Sequence, residues 1–129
     1  MTDRYPKKPK AKDTTSLVGD WRIVEMELWD REYMDMEVPA FIRFEKDGGE
    51  FQFGLVSGSI DSRFLSKSGK CSVEFSWEGQ DEMDPASGRG WVTQEDDNLL
   101  KGRFFFHGGD ESGFVAKRRK AKTGRRRGT

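Results

Sequence analysis

The stretch LVGDWRIVEMELW, residues 17–29, is the first part of the chain with a clear strand pattern. It contains two of the four tryptophans and opens with the pattern Gly19-x-Trp21. Side chains alternate between the two faces of a strand. In a regular strand over residues 20–29, Trp21 therefore shares its face with Glu25 and Glu27. The opposite face carries an aliphatic row of Val24, Met26 and Leu28.

These two faces conflict, because Trp21 and the aliphatic row cannot both face one core across a regular strand. A β-bulge near Val24 would add one residue, bring both to the core side and turn Glu25 and Glu27 outward. Without the bulge, the two carboxylates would point inward and would need partners. Both arrangements are open, and the outward one is favoured because alternating polar positions usually face solvent. After this strand we predict a short helix or turn over residues 30–37.

Seven further short strands follow, separated by turn residues such as Gly, Pro, Asn and Asp. We predict them over residues 40–45, 50–56, 59–65, 71–78, 89–94, 99–107 and 113–118. We interpret Ser57-Gly58 as a bulge or turn, and residues 79–88 as the longest irregular loop. Eight sequential strands predict an all-β fold, either an up-and-down barrel or a meander-based sandwich. We favour a small antiparallel up-and-down β-barrel, because closure removes exposed sheet edges.

The chain of 129 residues fits one domain, which we place at residues 17–116. The flanking segments, residues 1–16 and 117–129, are basic and are predicted to be disordered arms. The net charge of zero conceals an uneven distribution. Residues 17–116 hold 21 Asp and Glu against ten Lys and Arg, whereas residues 117–129 hold eight Lys and Arg and no acid. The sequence thus predicts an acidic domain between basic arms.

The cellular compartment is suggested by the cysteine and hydrophobicity patterns. Cys71 is the single cysteine, which excludes an internal disulfide and fits a reducing compartment. No apolar signal-peptide core follows the charged start, and no apolar run is long enough for a membrane-spanning helix. We therefore expect a cytoplasmic protein with no membrane partner.

The run Leu17-Val18-Gly19-Asp20-Trp21 resembles the L-x-G-x-W pattern that opens the first strand in the calycin superfamily. This superfamily includes lipocalins, avidins, fatty-acid-binding proteins and nitrobindin-like barrels. The resemblance covers the first strand, the strand count, the length and the end of the last strand. It implies a barrel plugged at one end by Trp21, beneath a basic side chain best matched by Arg118 and next by Lys117. The whole domain is also similar to a small family of bacterial proteins. This resemblance does not indicate any particular activity.

The functional sites of that superfamily have no clear counterpart in this sequence. An avidin-type biotin pattern is missing, as are the secretory signal and disulfide of a typical lipocalin. A nitrobindin-like haem site would need a histidine near the end of the chain. The single histidine, His107, precedes Gly108-Gly109, which is typical of a turn. We therefore expect no cofactor, and the resemblance implies only a barrel with room for an internal cavity.

Aromatic rings and polar strand residues are the candidates for lining such a cavity. The number of large rings favours a filled core over a sizeable cavity. The candidate ligand-binding residues are Trp21, Glu25, Glu27, Trp29, Arg43, Trp77, Trp91 and His107. Our preferred hypothesis is a non-enzymatic protein that binds a small ligand or a protein partner.

Two other functions are weighed against this hypothesis. The first is nucleic-acid association, because a dense basic arm binds polyanions through counterion release. Its candidate residues are Lys117, Arg118, Arg119, Lys120, Arg125, Arg126 and Arg127. The second is a small hydrolase or isomerase that would use an interior carboxylate such as Glu27 with His107 or Arg43. No nucleophile motif supports it, so we assign no catalytic residue.

The acidic loop is the one candidate for a metal site. It holds Glu78, Asp81, Glu82 and Asp84. Its spacing differs from that of an EF-hand, and no His/Cys cluster suits zinc. We therefore interpret it as a solvated loop and predict no metal site.

Overall fold

The structure is a computed structural model that describes residues 16–67 and 69–119. Its strands form a closed barrel in which each strand pairs with its sequence neighbours and the last pairs with the first. They are β1 (Gly19–Met26), β2 (Phe41–Phe44), β3 (Gly48–Phe53), β4 (Val56–Lys67), β5 (Lys70–Asp81), β6 (Asp84–Asp96), β7 (Leu99–Phe106) and β8 (Glu111–Arg118). A short helix, α1 (Arg31–Met34), lies between β1 and β2. All pairs are antiparallel, so the predicted up-and-down barrel is confirmed.

The bulge expected near Val24 is present in β1. The register against β8 shifts between Ile23 and Glu25. On either side of the shift, buried side chains face the interior: Trp21, Ile23 and Met26. Glu25 and Glu27 are exposed as a result. The extra residue thus brings Met26 to the same face as Trp21, whereas Val24, expected in the core, is only half-buried at the bulge.

The first strand is shorter than predicted, because it ends at Met26 instead of residue 29. The chain then turns into α1, whose N-cap Asp30 accepts a hydrogen bond from the backbone N–H of Tyr33 at 2.9 Å. The core assignment of Leu28 was therefore wrong, and 48% of its surface is exposed. Helix α1 confirms the helical alternative for residues 30–37.

The predicted loop over residues 79–88 is instead the paired end of a long hairpin. Strands β5 and β6 continue to a short turn at Glu82-Met83. A Cβ on Gly79 would lie 1.9 Å from a neighbouring backbone carbonyl oxygen, and one on Gly88 would lie 1.8 Å from another. These glycines therefore allow close strand approach and do not mark a loop. Ser57-Gly58, predicted as a bulge or turn, likewise lies inside β4.

Aromatic rings fill the middle of the barrel. The ring centroid of Phe104 lies 4.8 Å from that of Phe51 and 5.2 Å from that of Phe53. The ring of Phe114 is 4.7 Å from Phe104 on another side. All four side chains are buried. Rings at these distances pack favourably, so side chains occupy the centre of the barrel.

Both ends of the barrel are covered by tryptophans. At one end, Trp21 is fully buried beneath the guanidinium group of Arg118. At the other end, the ring of Trp29 lies 6.0 Å from Tyr33 of α1 and 5.1 Å from Phe53. The interior is therefore lined and closed mainly by apolar side chains.

Candidate functional site

Trp21 and Arg118 make the contact that the calycin resemblance implied for one end of the barrel. The guanidinium carbon of Arg118 lies 4.2 Å from the centre of the Trp21 ring. Its Nε donates to the carbonyl oxygen of Asp97 at 3.0 Å, and Nη2 donates to that of Ser16. Burial lowers the pKa of Arg118, and the Asp97 carboxylate opposes this effect. Arg118 is thus committed to closing the barrel.

Glu27 lies on the outer wall, where it is anchored to β8 and β7. Its Oε1 accepts a hydrogen bond from the backbone N–H of Gly113 at 3.1 Å and another from Arg103 at 2.9 Å. The Gly113 bond is the main cause of a lowered pKa of Glu27, and Arg103 adds to it. Arg103 also donates to Glu111 at 3.1 Å, and this bond is the leading cause that raises the pKa of Arg103. Glu27 therefore belongs to a surface network.

Arg43 also faces outward and is surrounded by carboxylates. It pairs with Glu50, with Glu45 at 3.3 Å and with Asp20 at 3.9 Å. Partial burial alone lowers the pKa of Arg43, but the carboxylates, Glu50 foremost, raise it above its ordinary value. Glu27 and Arg43 therefore do not form an internal network. Each forms ion pairs on the surface, because strand alternation and the bulge turn both residues outward.

Trp77 lies in the interior and the half-buried Trp29 covers one end of it, both packed against other rings. Trp77 is 3% exposed, and its ring centroid lies 5.1 Å from Phe51 and 5.2 Å from Phe106. Trp29 is 5.9 Å from the same Phe106. These rings contribute to the closed core, and they do not stand free around an open lumen.

His107 is exposed in the turn between β7 and β8, as its following glycines indicated. Its backbone N–H donates to the carbonyl oxygen of Ser87 at 2.8 Å. Across the described ranges, its imidazole forms no hydrogen bond to Glu27, which is bound instead by Gly113 and Arg103. The structure thus does not join His107 and Glu27 into a dyad.

A continuous cleft runs over the outer face of β4–β7. It consists of two adjoining depressions of about 660 Å³ and about 1030 Å³. The two depressions share four residues: Asp61, Ser76, Arg89 and Phe105. On their strands, these positions alternate with the inward-facing core positions. These four residues therefore place the shared part of the cleft on the outer face of the barrel.

Trp91, one of the rings considered for an internal cavity, lies in this outer cleft with 41% of its surface exposed. Its neighbours Gly90 and Val92 on β6 are buried, so the Trp91 side chain must point to the opposite face. Its cross-strand partners are Glu74 on β5 and Arg103 on β7. The interior assignment of Trp91 was therefore wrong, and the residue presents an exposed indole beside charged groups.

The lining of the cleft is acidic. It contains five carboxylates: Asp61, Glu74, Glu78, Asp110 and Glu111. Against these stand two guanidinium groups, those of Arg63 and Arg89. Among the described side chains, Glu111 alone of the five is in an ion pair, with Arg103. An indole beside unpaired carboxylates can contact a cationic group, as Trp21 already does inside the barrel.

Sequence reasoning missed this cleft, although part of the signal was present. Between buried Gly90 and Val92, the alternation of β6 places Arg89, Trp91 and Thr93 on one face. A large aromatic ring on the same face as arginine and threonine indicates an exposed ring. The strands that surround it are set by the barrel closure and cannot be read from β6 alone.

The C-terminal arm is only partly described. Lys117 and Arg119 are exposed, and Arg118 is engaged by Trp21. Lys120 and residues 125–127, which complete the predicted nucleic-acid-binding set, lie outside the described residues, as does almost all of the N-terminal arm.

Clustered metal ligands and membrane-spanning helices are both missing from the described residues. No three His, Cys, Asp or Glu side chains in residues 16–67 and 69–119 come together as metal ligands. None of the helices in that part of the chain combines the length and the apolar character needed to cross a membrane.

The chain was compared with protein-family models, with curated proteins and with solved structures, and none of the three comparisons finds a match.

Proposed function

We propose that this protein is a non-enzymatic binding protein that holds a basic segment of a protein partner in its outer cleft. The observation that carries the proposal is the exposed indole of Trp91 in a cleft whose two depressions together hold five carboxylates and two arginines. Tryptophan is enriched among the residues that dominate protein interfaces. In the depression of Trp91, Asp61 and Glu74 are matched by Arg63 and Arg89, and the adjoining depression adds Glu78, Asp110 and Glu111. The excess of acid over the whole cleft favours cationic partners and disfavours anionic ones.

The cleft is a better candidate than the barrel interior. Rings meet across the centre of the barrel, and Trp21 and Trp29 cover its two ends. A ligand in the interior would have to displace some of these packed rings, and removing such rings costs several kcal/mol. The outer cleft needs no such rearrangement.

We also infer that the barrel is of the calycin type, from a bacterium and located in the cytoplasm. The contact between Arg118 and Trp21 supports the calycin assignment, since the resemblance implied that pair. The single, buried Cys71 is consistent with a reducing compartment. None of these three inferences is needed for the binding proposal.

Calorimetric titration with an Arg/Lys-rich peptide tests the binding proposal, with a Glu-rich peptide of equal length as the control ligand. We expect the basic peptide alone to bind. Trp91→Ala and Glu74→Gln should each weaken binding by about tenfold, the effect of losing a contact of about 1.4 kcal/mol.

Glu25→Gln is the matched control for Glu74→Gln. It removes the same charge from β1, which lies opposite β5 in the closed barrel of eight strands. We expect it to bind the peptide as the parent does. Equal affinity of the parent, Trp91→Ala and Glu74→Gln for the basic peptide would overturn the proposal.

Nucleic-acid association through the C-terminal arm is a second candidate, favoured by eight Lys and Arg in residues 117–129. If about half of these charges contact phosphates, log K should fall with log salt at a slope of about −3 to −4. Replacing Arg125, Arg126 and Arg127 by Gln should make the slope less steep. An unchanged slope would exclude the arm as the binding element.

A further inference from the structure

We propose that the C-terminal arm, residues 120–129, occupies the outer cleft of its own chain and competes there with the partner. The inference rests on the proposed function, because it assigns a regulator to the same cleft. Three properties of the chain support it: charge, reach and side-chain type.

Charge complementarity is the first support. The segment of residues 120–129 has no acidic residue and five basic ones: Lys120, Lys122, Arg125, Arg126 and Arg127. The cleft has five carboxylates and two arginines, four of the carboxylates forming no ion pair with a described side chain. The domain over residues 17–116 has 11 more acidic than basic residues. Salt screens electrostatic attraction beyond the Debye length, about 8 Å at physiological salt. The opposite charges therefore attract the arm to this wall once the two are within that distance.

Reach is the second support. Register places Trp91 opposite Arg103 and Arg103 opposite Gly113, so Trp91 lies two strands from β8. With strands about 4.8 Å apart and a rise of about 3.3 Å per residue, Arg119 is about 22 Å from Trp91 along the surface. Seven extended residues span about 23 Å, which brings Arg126 to the cleft.

The route passes another acidic element. The end of β6 carries Glu95, which pairs with Lys70, and Asp96, and the turn that follows carries Asp97. This turn lies beside the end of β8, where Arg118 donates to the carbonyl oxygen of Asp97. This turn continues the negative surface from the end of β8 towards the cleft. The straight line from Arg119 to Trp91 passes beside the exposed Lys101 of β7, whose charge opposes the approach.

Side-chain type is the third support, and it selects the C-terminal arm over the N-terminal one. Arg125, Arg126 and Arg127 carry guanidinium groups, which stack on aromatic faces and bind carboxylates with two parallel hydrogen bonds. Trp91 and Phe105 supply aromatic surface in the cleft. Residues 1–15 have four lysines and a single arginine. Lysine is a compact point charge without this planar complementarity.

Because the arm is tethered to the chain, it competes with a free peptide as a ligand of high effective concentration. Short flexible linkers give effective concentrations of the order of millimolar. If the arm alone binds with a Kd of the order of 0.1 mM, it weakens the apparent affinity for a competing basic peptide by about tenfold. Removing the arm's charge should restore that affinity.

The experiment compares two full-length variants by calorimetric titration with the same Arg/Lys-rich peptide. In the first, Lys122, Arg125, Arg126 and Arg127 are replaced by Gln. In the second, four lysines of the N-terminal arm are replaced by Gln: Lys7, Lys8, Lys10 and Lys12. We expect the first variant to bind the peptide about tenfold more tightly than the parent, and the second to bind as the parent does.

The outcomes separate this proposal from the proposed function. Peptide binding of equal strength in the parent and the first variant overturns the arm proposal and leaves the binding function intact. No binding in any variant overturns both. An equal gain in the second variant overturns the assignment to the C-terminal arm, because general charge repulsion would then explain it.

A second measurement locates the arm directly. A spin label on Thr129→Cys, in a Cys71→Ala background, should broaden the NMR signal of the Trp91 indole N–H more than the amide of Glu25 on the opposite wall. Salt at about 1 M, where the Debye length is about 3 Å, should remove the difference. Equal broadening at both positions at low salt would overturn the proposal.

Mixing spin-labelled chains with isotopically labelled chains tests whether the arm comes from the same molecule. Broadening that persists when spin label and isotope are on different chains would assign the arm to a second copy, and would overturn the intramolecular form.

Discussion

At the scale of single residues, Trp21 shows how one side chain closes an end of the barrel. The ring is fully buried, its indole N–H donates to the carbonyl oxygen of Leu17 at 3.0 Å, and Arg118 covers its face. The hydrogen bond satisfies the only polar group of the ring. The guanidinium group then gives a buried aromatic face a favourable electrostatic partner at the barrel end.

We predict that Arg118→Ala lowers the free energy of unfolding by about 1–3 kcal/mol, since it removes a cation–π contact and hydrogen bonds to two carbonyl oxygens. Urea denaturation followed by tryptophan fluorescence measures the change. Lys117→Ala is the matched control, because this neighbouring cation is exposed. It should change stability by less than about 0.5 kcal/mol. Equal effects of the two variants would contradict the structural role of Arg118.

Glu27 provides a pH-dependent prediction. Its folded-state pKa is lowered, chiefly by the Gly113 N–H, so the unfolded chain binds the proton more readily. The contact therefore stabilises the fold fully above the ordinary glutamate pKa of about 4.3, and this contribution is lost as pH falls through the lower folded-state value.

We expect Glu27→Gln to lose less free energy of unfolding than the parent between about pH 6 and about pH 3. Urea denaturation at the two pH values measures this difference. Glu25→Gln, which removes an exposed carboxylate from the same strand, should follow the parent. The role of Glu27 is refuted if the parent and Glu27→Gln lose the same amount.

At the scale of elements, the hairpin of β5 and β6 differs most from its sequence pattern. Glycines, proline and acidic residues in this stretch are typical of loops. The structure pairs Pro85 with Gln80 near the hairpin end and uses Gly79 and Gly88 where strands approach closely. The resulting long strands supply half of the residues that line the cleft.

We predict that Gly79→Ala and Gly88→Ala each destabilise the fold by about 1–3 kcal/mol or more, because the added Cβ would overlap a backbone carbonyl oxygen. Thermal unfolding followed by circular dichroism measures the loss. Gly109→Ala is the control, since its Cβ would lie at ordinary contact distances, 3.4 Å from the Phe106 side chain and 3.9 Å from the Phe106 carbonyl oxygen. A similar melting temperature for all three variants would contradict the close approach.

At the scale of the whole molecule, closure of the barrel joins the beginning of the domain to its end. Strand β1 pairs with β8, and Glu27 bonds to residues 76 and 86 positions away. Such non-local pairing brings together distant parts of the chain at a large cost in chain entropy. It also creates two separate surfaces, an interior filled with rings and an outer wall where charge and Trp91 are exposed.

The non-local closure predicts slow folding. We expect refolding from urea in milliseconds to seconds, the range of proteins dominated by distant contacts. Stopped-flow fluorescence is a suitable probe, because Trp21 and Trp77 become buried only as the barrel forms. Complete refolding within microseconds would indicate that local contacts dominate instead.

The contact between Trp21 and Arg118 was implied by the resemblance of residues 17–21 to the calycin pattern. The sequence by itself determined the fold class and the number of strands, and it favoured a bulge near Val24. The two-residue alternation of strands and the residue preferences of turns are local properties, so they can be recognised in the sequence. The same alternation correctly favoured an outward position for Glu25 and Glu27. It failed at Leu28 and over residues 79–88, where a helix start and strand pairing override the local pattern.

Only the tertiary structure decided that Trp91 faces outward, that Glu27 is held by β7 and β8, and that an acidic cleft crosses β4–β7. Alternation assigns residues to two faces, but the neighbours of a strand determine which face is the core. Those neighbours are chosen by pairing between distant segments, and that choice depends on closing the whole barrel.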